Sequence, residues 1–313
     1  MAIKIALAGL GKMGANMARR LRRGGIEVVG FNRSQEIVQQ LAKEDGVIAA
    51  QSLDDAVSKL SAPRVVWLML PSGAPTEQAI FDLIPLLEQG DIVIDGGNSN
   101  YHDSERRGAL LAKHDIGFID AGTSGGVWGL DNGYCLMVGG STEAVSMIEP
   151  VLKVLAPAPD RGWAHVGPIG AGHFTKMVHN GIEYGMMQAY AEGLTLLHGK
   201  SEFNLDLAQI TELWRHSSVV RSWLLDLTAE ALSNRSGKSV EQLLEEFSTE
   251  VQDSGEGRWT AIEAVDQGVA APVMTLALQM RFASRDSGYG NRLLSLMRNA
   301  FGGHAAPGAD KKP

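Results

Sequence analysis

The stretch Ile3-Lys4-Ile5-Ala6-Leu7-Ala8-Gly9-Leu10-Gly11-Lys12-Met13-Gly14 runs a short apolar strand directly into a G-x-G-x-x-G turn, and 15–23 continue with helical periodicity. Few features narrow the choice of fold as much. A strand, a glycine turn and a helix in this register predict the opening of a doubly wound α/β sheet, with a dinucleotide pyrophosphate at the helix N-terminus. Gly9 permits the tight turn, Gly11 lets the backbone approach the phosphates, and Gly14 lets helix and strand pack closely. Leu10, Lys12 and Met13 fill the positions between and belong to the expected cofactor site.

The tip of the second strand selects the dinucleotide, because a carboxylate there bonds the ribose hydroxyls whereas an arginine accommodates a 2′-phosphate. It reads Phe31-Asn32-Arg33-Ser34, with no carboxylate at the tip. Asn32, Arg33 and Ser34 therefore favour NADP, while Gln35-Glu36 close by keep NAD possible.

Apolar runs at Ile3 to Ala8, Val28 to Phe31, Val65 to Leu70, Ile92 to Ile94, Phe118 to Ile119 and Tyr134 to Val138 alternate with amphipathic stretches, which predicts a parallel sheet between helices. Glycines cluster at the strand ends, the edge where such sheets bind ligands, and Leu70, Pro71 and Asn98 lie there as further cofactor positions. Three prolines and four glycines between Pro157 and Gly172 mark a change of pattern. Beyond it the periodicity is helical, with one long helix over His173 to Leu197. Shorter ones are expected near Leu205 to Trp214, Val220 to Leu232, Val240 to Phe247 and Thr260 to Gln267, and a last one over Val273 to Phe301. The expected division is a Rossmann-like domain over 1–168, an all-α substrate and oligomerisation domain over 169–304, and a flexible tail over 305–313.

A formal charge of −8 argues against a nucleic-acid surface, although clustered arginines can still hold one phosphate. The single cysteine, Cys135, fits a reducing compartment, and no apolar run reaches the ~20 residues of a membrane span. A cytoplasmic protein is expected. Ser233 to Ser239 lacks the upstream glycine of a nucleotide phosphate loop and reads as a solvated interhelix loop.

The helix that opens the second half carries Lys176, His179, Asn180, Glu183 and Tyr184 at helical spacing, a single polar stripe beside apolar neighbours. Gly181 and Gly185 are poor helix formers, and close approach of a ligand accounts for them. A desolvated Lys176 beside a positively charged nicotinamide can accept a hydroxyl proton while hydride leaves the same carbon. Glu183, two turns on, can exchange a proton with a neighbouring carbon, which suggests more than simple alcohol oxidation.

Asp95-Gly96-Gly97-Asn98-Ser99, Ser124-Gly125-Gly126 and the run Gly172 to Gly185, which contains His179-Asn180-Gly181-Ile182-Glu183-Tyr184, resemble the 6-phosphogluconate dehydrogenase family over essentially the whole chain. The broader 3-hydroxyacid dehydrogenases share the glycine turn and the helix lysine but lack the His-Asn-Gly-Ile-Glu-Tyr run. The resemblance implies oxidation of 6-phosphogluconate at C3, loss of CO2 and protonation of the enediol to ribulose 5-phosphate, without a metal. It makes Lys176 the base at the C3 hydroxyl and Glu183 the acid at C1. It places Asn98, Ser124, Gly125, Gly126, His179, Asn180 and Tyr184 against the sugar acid, and Arg258, Arg281, Arg298 and His304 as the phosphate site. The family usually has lysine where Arg258 stands. The long form of the family has a larger helical domain whose tail enters the neighbouring subunit's site; the single helical unit here marks a short form. By the same resemblance the chain is a homodimer or homotetramer, with Arg298 and His304 serving either their own or a partner's site. Two alternatives remain, a hydroxyacid dehydrogenase for an unphosphorylated substrate and a redox-sensing dinucleotide-binding protein without turnover.

Overall fold

The computed structural model describes residues 3–233 and 237–302. The chain forms two compact units, Met1–Asn180 and Gly181–Pro313.

In the first unit, strands β1 (Lys4–Ala8), β2 (Glu27–Phe31), β3 (Ile48–Ala49), β4 (Val65–Leu68), β5 (Ile92–Asp95), β6 (Gly117–Ser124), β7 (Cys135–Gly140) and β8 (Trp163–Gly167) make one sheet in the order β3-β2-β1-β4-β5-β6-β7-β8. Helices α1 (Lys12–Arg23), α2 (Gln35–Asp45), α3 (Leu53–Ser58), α4 (Ala74–Leu83), α5 (Tyr101–Ala112), α6 (Gly129–Asn132) and α7 (Thr142–Leu155) connect the strands. Side chains alternate across the sheet, so Ile5, Leu7, Val28, Trp67 and Ile94 join one buried cluster with Met17 and Leu21 of α1 and Ile148 of α7. Ala6, Ala8, Val29, Val66, Leu68 and Val93 join the other, with Ile80 and Leu83 of α4. Each large aliphatic buried this way contributes roughly 1.5–3 kcal/mol, so burial on both faces holds the unit together.

One expectation about this sheet is corrected. It is not parallel throughout: β7 runs antiparallel to β6, with Ser124 opposite Cys135 and Ile119 opposite Gly140. Only ten residues join the two strands, fewer than a parallel crossover needs. β3 and β8 were not anticipated.

Helix α8 (Ala171–Gly199) begins in the first unit and continues into the second. The second unit adds α9 (Leu207–Trp214), α10 (Trp223–Ser233), α11 (Val240–Leu244), α12 (Glu256–Asp266), α13 (Pro272–Ala283) and α14 (Tyr289–Gly302). The expected single helix over Val273 to Phe301 is two, broken at Ser284 to Gly288, where Gly288 has φ 77°. The helix expected to reach Phe247 stops at Leu244. No described helix is long and apolar enough to cross a membrane.

Candidate active site

The glycine turn is built as the sequence implies, with a different reason at each glycine. Gly9 takes φ 96°, which side chains rarely adopt, and a Cβ there would strike the Met69 carbonyl. A Cβ at Gly14 would strike the Gly9 carbonyl, so helix and strand meet in direct contact. Gly11 has no protein atom near its absent side chain, so packing does not require glycine there. It also N-caps α1 without a side-chain hydrogen bond, leaving the first-turn amides open to an anion, and no acidic residue stands in that turn. A cavity of about 350 Å³ over the turn is lined by Leu10, Gly11, Lys12, Ala15, Ile37 and Val127, among others. This cradle fits a dinucleotide pyrophosphate.

Asn32 braces the turn. Its Oδ1 accepts from the Leu10 amide at 3.1 Å and its Nδ2 donates to the Ser34 carbonyl at 3.2 Å. Leu10 is buried and Met13 half-buried, whereas Lys12, Arg33 and Ser34 are exposed. Arg33 makes no hydrogen bond or ion pair with the described residues. Leu70 is half-buried and Pro71 exposed.

The segment 95–99 is pinned through Arg107, which the sequence reading did not single out. Asp95 and Arg107 are both fully buried and paired at 3.0 Å. Ser99 donates to Asp95 at 2.7 Å, the Gly97 amide donates to its other oxygen, and Arg107 also bonds Glu77 and the Gly73 carbonyl. Asn98 is left exposed at the top of this braced turn.

Lys176 is 6% exposed, on the second turn of α8. The start of α8 lies flush on the sheet. Asp120 of β6 accepts hydrogen bonds from the Gly170 and His173 amides at 2.8 Å each, and a Cβ on Gly122 would come within 2.5 Å of Lys176 Cβ. His173, also buried, bonds Ser104 of α5 at 2.7 Å through Nδ1. His179 and Asn180 follow on α8, with their side chains 3.0 Å apart. At the end of β6, Ser124 is half-buried. Gly125 takes φ 142° over the ring of Tyr134, and Gly126 is exposed.

In the second unit, Glu183 is half-buried and Tyr184 buried. The Arg281 guanidinium lies 3.5 Å from the centre of the Tyr184 ring, and Tyr184 Oη accepts from the Ser254 amide at 3.2 Å. Arg281 also donates to the Gln252 carbonyl at 2.7 Å. Arg258 grips Asp253 through two hydrogen bonds of 2.8 and 2.9 Å, and Arg285 reaches the same carboxylate at 2.9 Å. The neighbouring guanidiniums pull the Asp253 carboxyl down to about 2. Two guanidiniums share the Asp253 carboxylate and Arg281 binds the adjoining Gln252 carbonyl, a gathering of cationic donors of the kind that can hold a phosphate. Of the expected phosphate residues, Arg258 and Arg281 thus gather on the segment Gln252 to Ser254 with Arg285, which the sequence reading missed. The side chain of Arg298, and His304 altogether, lie outside the described residues.

The expectation that Gly181 and Gly185 admit a ligand is corrected. A Cβ on Gly181 would fall 2.7 Å from Thr260 Cγ2, and one on Gly185 3.3 Å from Val273. These glycines serve helix packing.

Two family models match, the NAD binding domain of 6-phosphogluconate dehydrogenase over residues 4–167 and the 6-phosphogluconate dehydrogenase C-terminal domain over 172–308. The chain is 38% identical over 303 residues to an NAD(+)-dependent decarboxylating 6-phosphogluconate dehydrogenase of Haloferax volcanii, covering 96% of this chain and 98% of that one. It is 37% identical over 286 residues to an enzyme of the same name from Bacillus subtilis, covering 90% of this chain but 61% of the longer relative. Plasmodium falciparum 6-phosphogluconate dehydrogenase, solved in its apo form, with its cofactor NADP+ and with its substrate 6-phosphogluconate, superposes with TM-score 0.82 at 28% identity, covering 98% of this chain and 67% of that one. The chain belongs to the 6-phosphogluconate dehydrogenase family.

Proposed function

We propose that this chain oxidises 6-phosphogluconate at C3 and decarboxylates the product to ribulose 5-phosphate and CO2, reducing NADP in preference to NAD. The observation that carries the reading is Lys176, buried against Gly122 on the strand that ends in Ser124. When bound, the dinucleotide supplies the acceptor for the hydride that leaves C3. Gly9, Gly11 and Gly14, with the open amides of α1, hold its pyrophosphate. Lys176 Nζ takes the C3 hydroxyl proton and returns it to the same oxygen as the C1 carboxylate departs as CO2. Glu183 then delivers a proton to the carbon that bore the carboxylate, C2 of the substrate and C1 of ribulose 5-phosphate. Asn98, Ser124, Gly125, Gly126, His179, Asn180 and Tyr184 orient the hydroxyls and carboxylate by hydrogen bonds. Arg258 and Arg281, with Arg298 and His304, hold the phosphate.

The exposed Arg33, without a partner among the described residues and beside Ser34, supports NADP, because no carboxylate stands at the strand tip and Asn32 is occupied with the turn. The relatives from Haloferax volcanii and Bacillus subtilis are named NAD(+)-dependent, so NAD is kept as an alternative acceptor. We keep 168/169 as the functional division, where α8 begins to carry the proton-transfer groups. A homodimer or homotetramer is supported by exposed Val273, Leu276, Leu293, Leu294 and Leu296 on α13 and α14. The lone free Cys135 supports a cytoplasmic location.

The test is to give the purified protein 6-phosphogluconate with NADP or NAD and measure reduced dinucleotide and CO2 together. Equal yields of the two, with a higher kcat/KM for NADP, are expected. Reduction without CO2 overturns the decarboxylation, and a higher kcat/KM for NAD overturns the cofactor preference.

A further inference from the structure

Asp120, Gly122 and Ser124 alternate along β6 and share one face of that strand. Each meets a different need there. Asp120 is fully buried, and its two oxygens accept from the amide of Gly170, just before α8, and that of His173, in its first turn, at 2.8 Å each. A carboxylate at a helix N-terminus satisfies otherwise orphaned donors and meets the positive end of the helix dipole, which offsets the cost of burying it. Gly122 lies directly under Lys176, where a Cβ would collide with the lysine stem and the Gly172 carbonyl. Ser124 ends the strand at the expected substrate edge.

The first turn of α8 has no freedom to slide. A Cβ on Gly172 would strike the Asp120 carbonyl and come within 2.5 Å of the Met137 carbonyl, so the helix backbone already touches β6 and β7. From the other side Ser104 of α5 holds the His173 ring at 2.7 Å. Lys176 stands three residues beyond His173, less than one helical turn from the clamp.

We propose that Asp120 is a positioning residue for the reaction: by gripping the start of α8 it fixes the height of Lys176 above Gly122 and hence its register with Ser124 on the same strand. This rests on the assignment of Lys176 as the base at C3. Asp120 touches no reacting atom in this account. A misplacement of about 1 Å can cost roughly 100-fold in rate, so the grip acts on kcat rather than on ligand affinity.

The experiment compares Asp120→Asn, which keeps the size but turns an NH2 toward an amide donor, with Gly122→Ala, which keeps the Asp120 carboxylate and displaces the lysine stem and the Gly172 carbonyl. Lys176→Ala is assayed beside them, with 6-phosphogluconate deuterated at C3 as a second substrate. Both positioning variants are expected to lose roughly 10–100-fold in kcat with each KM within about threefold, and to show a larger deuterium effect because hydride transfer becomes slower. A purely structural cap would lower the melting temperature and leave kcat and the isotope effect unchanged. That result, with Lys176→Ala inactive, overturns the inference alone. If Lys176→Ala keeps wild-type turnover, the assignment of Lys176 fails and the inference falls with it. Should Asp120→Asn not fold, Asp120→Glu, which keeps the charge and moves the grip by one methylene, is read by the same kcat and isotope effect, and unchanged values there overturn the inference.

Discussion

The two compact units bury polar groups to different depths. In the first, the sheet is covered on both faces by large apolar clusters, and the Asp95–Arg107 pair is sealed completely among them. In the second, the described buried clusters are small, Leu207, Ala208, Leu232 and Val240 in one and Tyr184, Ala277 and Leu278 in the other, and the Asp253 cluster sits among arginines that remain partly exposed. A sealed ion pair is unforgiving, because removing one partner strands a charge without water. Around the buried Asp253 carboxylate the arginines keep part of their surface in water, so they tolerate loss better and stay available to a ligand. The first unit is thus built to hold backbone turns rigid, the second to present charge.

The largest effect expected from this contrast is at Arg107. Arg107→Leu leaves Asp95 buried and uncompensated and costs about 3–5 kcal/mol of stability. Urea unfolding measures it, and a loss below about 1 kcal/mol would mean that the pair is not sealed. For Arg281→Ala, removing a charged donor from the proposed phosphate site is expected to cost roughly 1.5–3 kcal/mol of binding, seen as a KM for 6-phosphogluconate raised about 10–100-fold. An unchanged KM would favour an unphosphorylated substrate.

Asp253 gives an acid-dependent version of the same contrast. Its carboxyl is lowered from 3.8 to about 2, so its contribution is fully present above pH ~4 and is lost as pH falls toward 2. The contribution is about 2 kcal/mol, and Asp253→Asn removes both it and this part of the acid dependence. Stability profiles of the two proteins that stay parallel from pH 5 to 2 would contradict the assignment. The smallest effect is at Tyr134, whose buried hydroxyl has no hydrogen-bond partner among the described residues and whose ring supports Gly125 and Gly129. Tyr134→Phe keeps the ring and is expected to stabilise by about 1 kcal/mol in thermal unfolding without changing kcat. A loss of stability would show that the hydroxyl is satisfied.

The same difference explains what could be read from the sequence. Six strands of the first unit announce themselves as apolar runs because a sheet buried on both faces needs them. β3 has only two residues, and β8, Trp163-Ala164-His165-Val166-Gly167, is an exposed edge between prolines and glycines, so neither carries that pattern. The reversal at β7 had a signal in its short connection. The break between α13 and α14 had one in Ser284, Asp286, Ser287 and Gly288.

At the proposed site, Gly11 stands out in an open turn, and Lys176 and Asn180 stand out as polar residues in buried positions on an apolar helix. The supports were hidden. Asp95 and Asp120 end or interrupt apolar runs, which hints at buried carboxylates, but their partners Arg107 and the α8 amides are distant in sequence. Gly181 misled for the same reason, since nothing local points to Thr260.

The most direct test of the account is a single turnover of Lys176→Ala with saturating 6-phosphogluconate and NADP, alongside a fluorescence titration of NADP binding. Reduced dinucleotide and CO2 are both expected to fall by roughly 10²–10⁴-fold, with the dissociation constant for NADP within about twofold of the parent protein. Turnover above a tenth of the parent rate, with binding intact, would contradict the central claim that Lys176 moves the proton at C3.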